Sequence, residues 1–167
     1  MSSLAGSFLV ARPVLSDSSF RQSVVLLLEH NDQGAFGLVI NRPAPAEGLP
    51  FPVYVGGPCK SQGLLMLHGH PEWLPPSAES GDDPVAPGIY LGDAACLSRA
   101  TEAAPGQVLR VRVVIGYSGW GPGQLEGELA AGAWALAPAT AQILFDTPVE
   151  ELWDRLVPSK IPQPSIN

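Results

Sequence analysis

Cysteine is scarce: Cys59 and Cys96 are the only two in 167 residues, too few for the disulfide framework of a small secreted fold or for a cysteine-rich zinc site. Both are expected as free thiols, and the cytoplasm is the expected address. Long apolar runs are absent too. The longest uniformly aliphatic stretch, Val24 to Leu28, is far too short to span a bilayer, and Met1 to Ala11 lacks the basic start and extended apolar stretch of a leader. No membrane contact is expected. Charge is sparse at 15% of residues, with nine Lys and Arg against sixteen Asp and Glu. The net charge of -7 repels phosphate backbones and anionic lipid alike. Arg110 with Arg112, and Arg12 with Arg21, are pairs rather than runs, and no helix-turn-helix pattern is evident. Direct contact with nucleic acid is therefore not expected.

Glycine and proline are abundant, 18 of each, while the apolar fraction of 46% is that of an ordinary globular protein. A chain of this length hides roughly 70% of its unfolded surface, enough for a real core. With no repeat, heptad pattern or linker, residues 1–167 read as one domain. Ser7 to Ala11 reads as a short strand, Asp17 to Phe20 as a turn, and Ser23 to Glu29 as a strand buried on both faces. Asn31, Asp32, Gln33 and Gly34 then form the turn of a hairpin to Ala35 to Ile40, with Gly34 left-handed. Prolines at 43, 45, 50 and 52 forbid a helix in the next dozen residues, after which Phe51 to Val55 and Gly63 to Leu67 are strand candidates. Pro71 to Pro87 reads as a long polar loop.

Asp93 is placed to cap a helix over Ala94 to Ala103. In Leu109 to Ile115 the alternation puts Leu109, Val111, Val113 and Ile115 on a core face, and Arg110, Arg112 and Val114 on a partly wet one. A helix from Pro122 to about Ala131 is stopped by Gly132. Thr147, Pro148 and Glu150 propose a capping box for a last helix with the apolar stripe Val149, Leu152, Trp153, Leu156 and Val157, closed by Pro158.

The segment from Gly116 to Gln124 is expected to join a strand to a helix, where backbone amides can converge on an anion. Its glycines do not follow a dinucleotide fingerprint and Pro122 removes a donor, so a structural turn with Trp120 as a packing plug is preferred to an anion cradle. Gly56 and Gly57 make a second sharp turn before Cys59, a thiol that His68 or His70 could activate, but no order of residues announces a Cys-His pair and an inert buried thiol is the preferred reading. His68-Gly69-His70 has no carboxylate or Cys at a ligand spacing beside it, so no metal site is assigned. Glu29-His30-Asn31 and Asn41-Arg42 lie near opposite ends of one ribbon. Asn41 and Arg42 offer an amide and a planar fork to a carboxylate or phosphate.

Taken together, Ser7 to Pro13, Phe20 to Asn31, Gly34 to Pro43, Gly56-Gly57-Pro58 and Gly116-Tyr117-Ser118-Gly119-Trp120-Gly121-Pro122-Gly123-Gln124-Leu125-Glu126 resemble the YqgE/AlgH family in order and spacing. The resemblance continues through Ala133-Trp134, Ile143 to Asp146 and Trp153. It implies an α+β fold with a mixed, mostly antiparallel, branched and partly barrel-like sheet flanked by helices, in a bacterial cytosolic family of undetermined biochemistry. One member's name, an alginate regulator, is the source of the family's label of transcriptional regulator. No catalytic residues, metal or cofactor come with the resemblance. The family's polar motif positions correspond to His30, Asn31, Asn41, Arg42, Tyr117, Trp120, Gln124 and Glu126, and Gly56, Gly57 and Gly119 lie in the same motifs. The chain departs in the short proline-rich interval after Pro43, in Arg12 where Met or Thr is usual, and in a clipped tail after Trp153. The expectation is a non-catalytic regulatory or interaction protein that uses Asn41, Arg42 and the Tyr117 to Gln124 segment as one patch for an unidentified protein or a small anion. An enzyme or binder of phosphometabolites using the Gly116 to Gln124 loop is the rival, and a transcriptional regulator ranks third.

Overall fold

The computed structural model describes residues 3–12, 21–44, 53–70, 73, 84–92, 94–102 and 110–157. Strands β1 (Ser7–Ala11), β2 (Val24–Asn31) and β3 (Gly34–Val39) come first, then β4 (Val53–Val55), β5 (Cys59–His68) and β6 (Tyr90–Gly92). Helix α1 (Ala94–Thr101) precedes β7 (Val111–Trp120), α2 (Gln124–Ala130), β8 (Trp134–Pro138) and α3 (Ala141–Asp146), and a 3-10 turn (Val149–Glu151) leads into α4 (Leu152–Leu156). The strands run in the order β6-β5-β7-β3-β2-β1-β8, with β4 branching onto β7 as a parallel partner and the other ladders antiparallel. The curled, half-barrel sheet with its helices is an α+β fold, as the family resemblance implied.

The aliphatic runs of β1 and β2 are buried on both faces because two cores meet there. Phe8, Val10, Val24 and Leu26 join Leu38, Val114, Leu144 and Leu152 on one side, while Leu9, Val25 and Leu27 meet Trp120, Leu125 and Trp134 on the other. The hairpin turn between β2 and β3 is set by Asn31, whose Oδ1 accepts the Gln33 amide at 2.7 Å. Gly34, at φ 134°, leaves room for the carbonyl of Trp120, which a β-carbon would strike. A third core holds Met66, Cys96, Ala100, Val111 and Val113 between α1, β5 and β7.

Several expectations need correction. Strand β7 does not stop at Ile115; it runs on through the glycines to Trp120. Gly116, at φ 82°, is a bend inside the strand, before which β7 pairs with β4 and mostly with β5, and after which Gly37, Phe36 and Ala35 of β3 face Ser118, Gly119 and Trp120. The face expected to be partly wet is so only at Arg110, since Arg112 and Val114 are buried. Arg112 is 8% exposed, and its guanidinium donates to the carbonyls of Leu144 and Phe145 at the end of α3, where a cation also meets the negative end of the helix dipole. Burial lowers its pKa. Ile115, assigned to the core, is 46% exposed.

The capping box is absent: Thr147 is an extended residue closing α3, and the last segment begins as a 3-10 turn. Its apolar stripe nevertheless packs on the main core. Pro122 precedes α2 rather than opening it, while Gly132, at φ 79°, follows that helix as the left-handed stop. Strands β6 and β8 and helix α3 were not foreseen, although Thr140 signals α3 by capping it, its hydroxyl accepting from the Ile143 amide. The expected turn at Asp17 to Phe20, the cap Asp93, residue Leu109, Pro158 and most of the Pro71 to Pro87 loop lie outside the described residues.

Candidate functional site

The sequence-selected residues fall into three places. At the hairpin tip, His30 is 7% exposed, and its Nδ1 accepts the amide of Leu4 at 3.0 Å. The proton therefore sits on Nε2, which donates to Glu126 Oε2 at 2.8 Å. That hydrogen bond is the largest cause holding the Glu126 carboxyl below its usual pKa. Close by, Gln124 accepts the Gly121 amide and donates to Glu128, and Glu128 accepts from both Trp120 and Trp134. The polar groups here bond to one another, with Gln124 and part of Glu126 still open to solvent. Only three residues, Gly121 to Gly123, separate β7 from α2, so the anticipated anion-cradling loop is mostly strand.

The second place is the sheet's branch. Gly56 and Gly57 lie against the bend of β7, where a β-carbon on Gly57 would strike the Tyr117 carbonyl and the Ser118 hydroxyl. Ser118, fully buried, donates to the Gly56 carbonyl at 3.0 Å. The Tyr117 ring lies 5.0 Å from that of Phe36, the ladder partner of Gly119. Close backbone approach accounts for the glycines here.

The third place is a cleft at the far end of the ribbon. Asn41 Oδ1 accepts the amide of Val24 at 2.9 Å and its Nδ2 donates to the carbonyl of Gln22 at 3.0 Å, while Arg42 donates to the carbonyl of Arg21. These contacts hold Gln22 at φ 57°, the only described non-glycine residue with positive φ. Together Arg21, Gln22, Asn41 and Arg42 make one wall of a cleft of about 340 Å³, whose other wall is Val149, Glu150, Trp153 and Asp154. The Trp153 indole is anchored through Nε1 to the carbonyl of Ala11. Strain at a non-glycine residue is concentrated at ligand clamps and active sites, and here it lines the cavity.

The structure separates what was expected to be one patch. Val24, which Asn41 holds, and His30 are six residues apart on β2, so the Asn41 and Arg42 end lies roughly 20 Å from the Trp120 and Glu126 end. Sequence reading missed Gln22 and Asp154, placed Glu150 only in a capping box, and named Arg21 only in a pair of charges too short for a basic patch. Cys59 and His68 stand at opposite ends of β5, so the histidines do not activate that thiol. His68 Nε2 instead lies 3.8 Å from Cys96 Sγ. His68 and His70 accept backbone amides of His70 and Arg110 through Nδ1 and Nε2 respectively. Among the described residues no cluster of three His, Cys, Asp or Glu could hold a metal.

Comparison with known proteins matches residues 8–164 to a family model described as AlgH-like. A UPF0301 protein of Myxococcus xanthus is 37% identical over 92% of this chain and 89% of its own, and one of Vibrio parahaemolyticus is 34% identical over 92% and 90%. The solution structure of the AlgH protein from Pseudomonas aeruginosa aligns with a TM-score of 0.67 at 33% identity, covering 92% of this chain and 87% of that one. A crystal structure of a Corynebacterium diphtheriae protein aligns at 0.72 over 91% and 84%, its 22% identity showing the fold alone.

Proposed function

Because this chain belongs to the AlgH-like family, whose biochemistry is undetermined, we propose that it is a non-catalytic regulatory or interaction protein and that its contact surface is the cleft between Arg42 and Trp153. The observation that carries this reading is Gln22, bent into a left-handed conformation on the wall of that cleft by the Asn41 amide. Arg21 and Arg42 line the same wall, so an anionic group, from a small ligand or from a partner's acidic side chain, is the fitting guest. A cytoplasmic setting is part of the proposal, supported by two free thiols and by the lack, among the described residues, of any helix long and apolar enough to cross a membrane.

A thermal-shift panel of phosphorylated and carboxylated metabolites, run beside a pull-down with the protein and its Arg21→Ala variant, tests the proposal. The expected result is a ligand that raises the melting temperature, or a partner retained by the protein, with either effect weakened in the variant. A ligand at 100 times its dissociation constant stabilises by about 2.7 kcal/mol, a readily measured shift. Ligands or partners that bind both forms equally would place the contact surface elsewhere.

A further inference from the structure

The two walls of the cleft carry opposite charge. Arg21 and Arg42 come from the strand side, while Glu150 and Asp154, one helical turn apart, come from the closing segment. Among the described residues, the Arg21 guanidinium and the Glu150 carboxylate each make no hydrogen bond or ion pair, although both line this one small space. A cation and an anion facing a common cavity without reaching one another leave a gap that a third molecule can bridge, provided it carries both charges. The ring of Trp153, tethered from behind through its N–H, lies between the acidic residues in sequence and adds an apolar surface for the guest's methylene groups. The volume of about 340 Å³ lies at the small end for ligand pockets.

We infer that the cleft binds a small zwitterion, a molecule of the amino-acid class whose carboxylate sits on the Arg21 and Arg42 wall and whose ammonium sits on the Glu150 and Asp154 wall. The inference rests on the cleft being the contact surface and goes further by requiring both charges on one guest. A simple anion would satisfy the guanidinium wall and suffer repulsion from the carboxylate wall, so the second charge also supplies discrimination.

The test is an amide chemical-shift titration of the whole protein with glycine, β-alanine, γ-aminobutyrate and lysine, which scan the charge spacing, and with butyrate and butylammonium as single-charge controls. The expected result is movement of the Gln22, Arg42 and Trp153 signals, with the best zwitterion binding at least about tenfold tighter than either control. Arg21→Gln and Glu150→Gln, both at exposed positions, should each abolish that preference while leaving the rest of the spectrum in place. Butyrate binding as tightly as the zwitterions would overturn the inference and leave an anion-binding cleft standing. Silence of the cleft signals toward every probe would also overturn it, and partner capture dependent on Arg21 would then decide the fate of the broader proposal.

Discussion

Trp120 and Trp134 donate their indole N–H groups to the same oxygen, Oε1 of Glu128, at 3.0 and 2.9 Å. One carboxylate on α2 thereby ties the end of β7 to the start of β8, and the two rings pack edge to face with centroids 6.2 Å apart. Both indoles are almost fully buried, at 5% and 2% exposure. Glu128→Ala would leave two buried donors without their acceptor, each costing about 1 to 3 kcal/mol. The expected loss in urea unfolding is roughly 3 kcal/mol, whereas Glu128→Gln, which retains an acceptor oxygen, should cost less than half as much. Equal losses for the two variants would remove the shared acceptor as the cause.

The contact of His30 with Glu126 predicts an acid sensitivity of known sign. The Glu126 carboxyl is held below its ordinary value of 4.5, first by the hydrogen bond from His30. A depressed carboxyl contributes stability that is present above the unfolded value and lost as pH falls through the folded one. The stability gap between the protein and Glu126→Gln should therefore be constant around neutrality and shrink in the acid range below 4.5. Urea unfolding of the pair across that range is the measurement. A gap that widens on acidification would contradict the assignment.

Much of the sheet was legible because its signals are local. The run from Val24 to Leu28 has no polar residue to turn toward water, and Asn31 and Gly34 carry their own turn geometry. Arg112 was misassigned for a physical reason. Alternation treats a charge as a vote for solvent, yet the carbonyls closing α3 solvate this guanidinium inside the protein. Gly116 misled in the opposite direction, since a glycine cluster reads as a loop when it can equally be a bend that lets one strand change partners. The cleft was half legible. Asn41 and Arg42 stood out as polar residues after a strand, but the opposing wall comes from the far end of the chain, and a left-handed Gln22 has no compositional signature.

Two glycines should respond to alanine with opposite signs. At Gly57, with φ 151°, the new methyl would meet the backbone carbonyl of Tyr117 just beyond the parallel ladder of β4 and β7, and backbone cannot move aside cheaply. Gly57→Ala is expected to cost about 3 kcal/mol, as overpacking against fixed atoms does. Gly127 lies within α2, and a β-carbon there meets nothing within 4 Å. Gly127→Ala should stabilise by roughly 0.5 to 1 kcal/mol through helix propensity and a less flexible unfolded chain. Denaturant midpoints of the two variants check both signs.

Asn41 and Gln22 form a clamp and the strained residue it holds, and their substitutions should separate stability from binding. Asn41→Ala removes an acceptor from the Val24 amide, on a fully buried residue, and a donor from the Gln22 carbonyl, for an expected loss of about 2 kcal/mol. Gln22→Gly should act oppositely. Relief of a left-handed conformation is worth about 1 to 2 kcal/mol, part of which the flexible glycine gives back in the unfolded state, leaving a gain of up to about 1 kcal/mol. The same change loosens the wall on which Arg21 is mounted, so the more stable variant should bind γ-aminobutyrate more weakly, a trade that strained sites characteristically show. Melting temperature and affinity measured on one preparation decide the matter. If Gln22→Gly gained stability and kept full affinity, the strain at Gln22 would have no part in shaping the cleft.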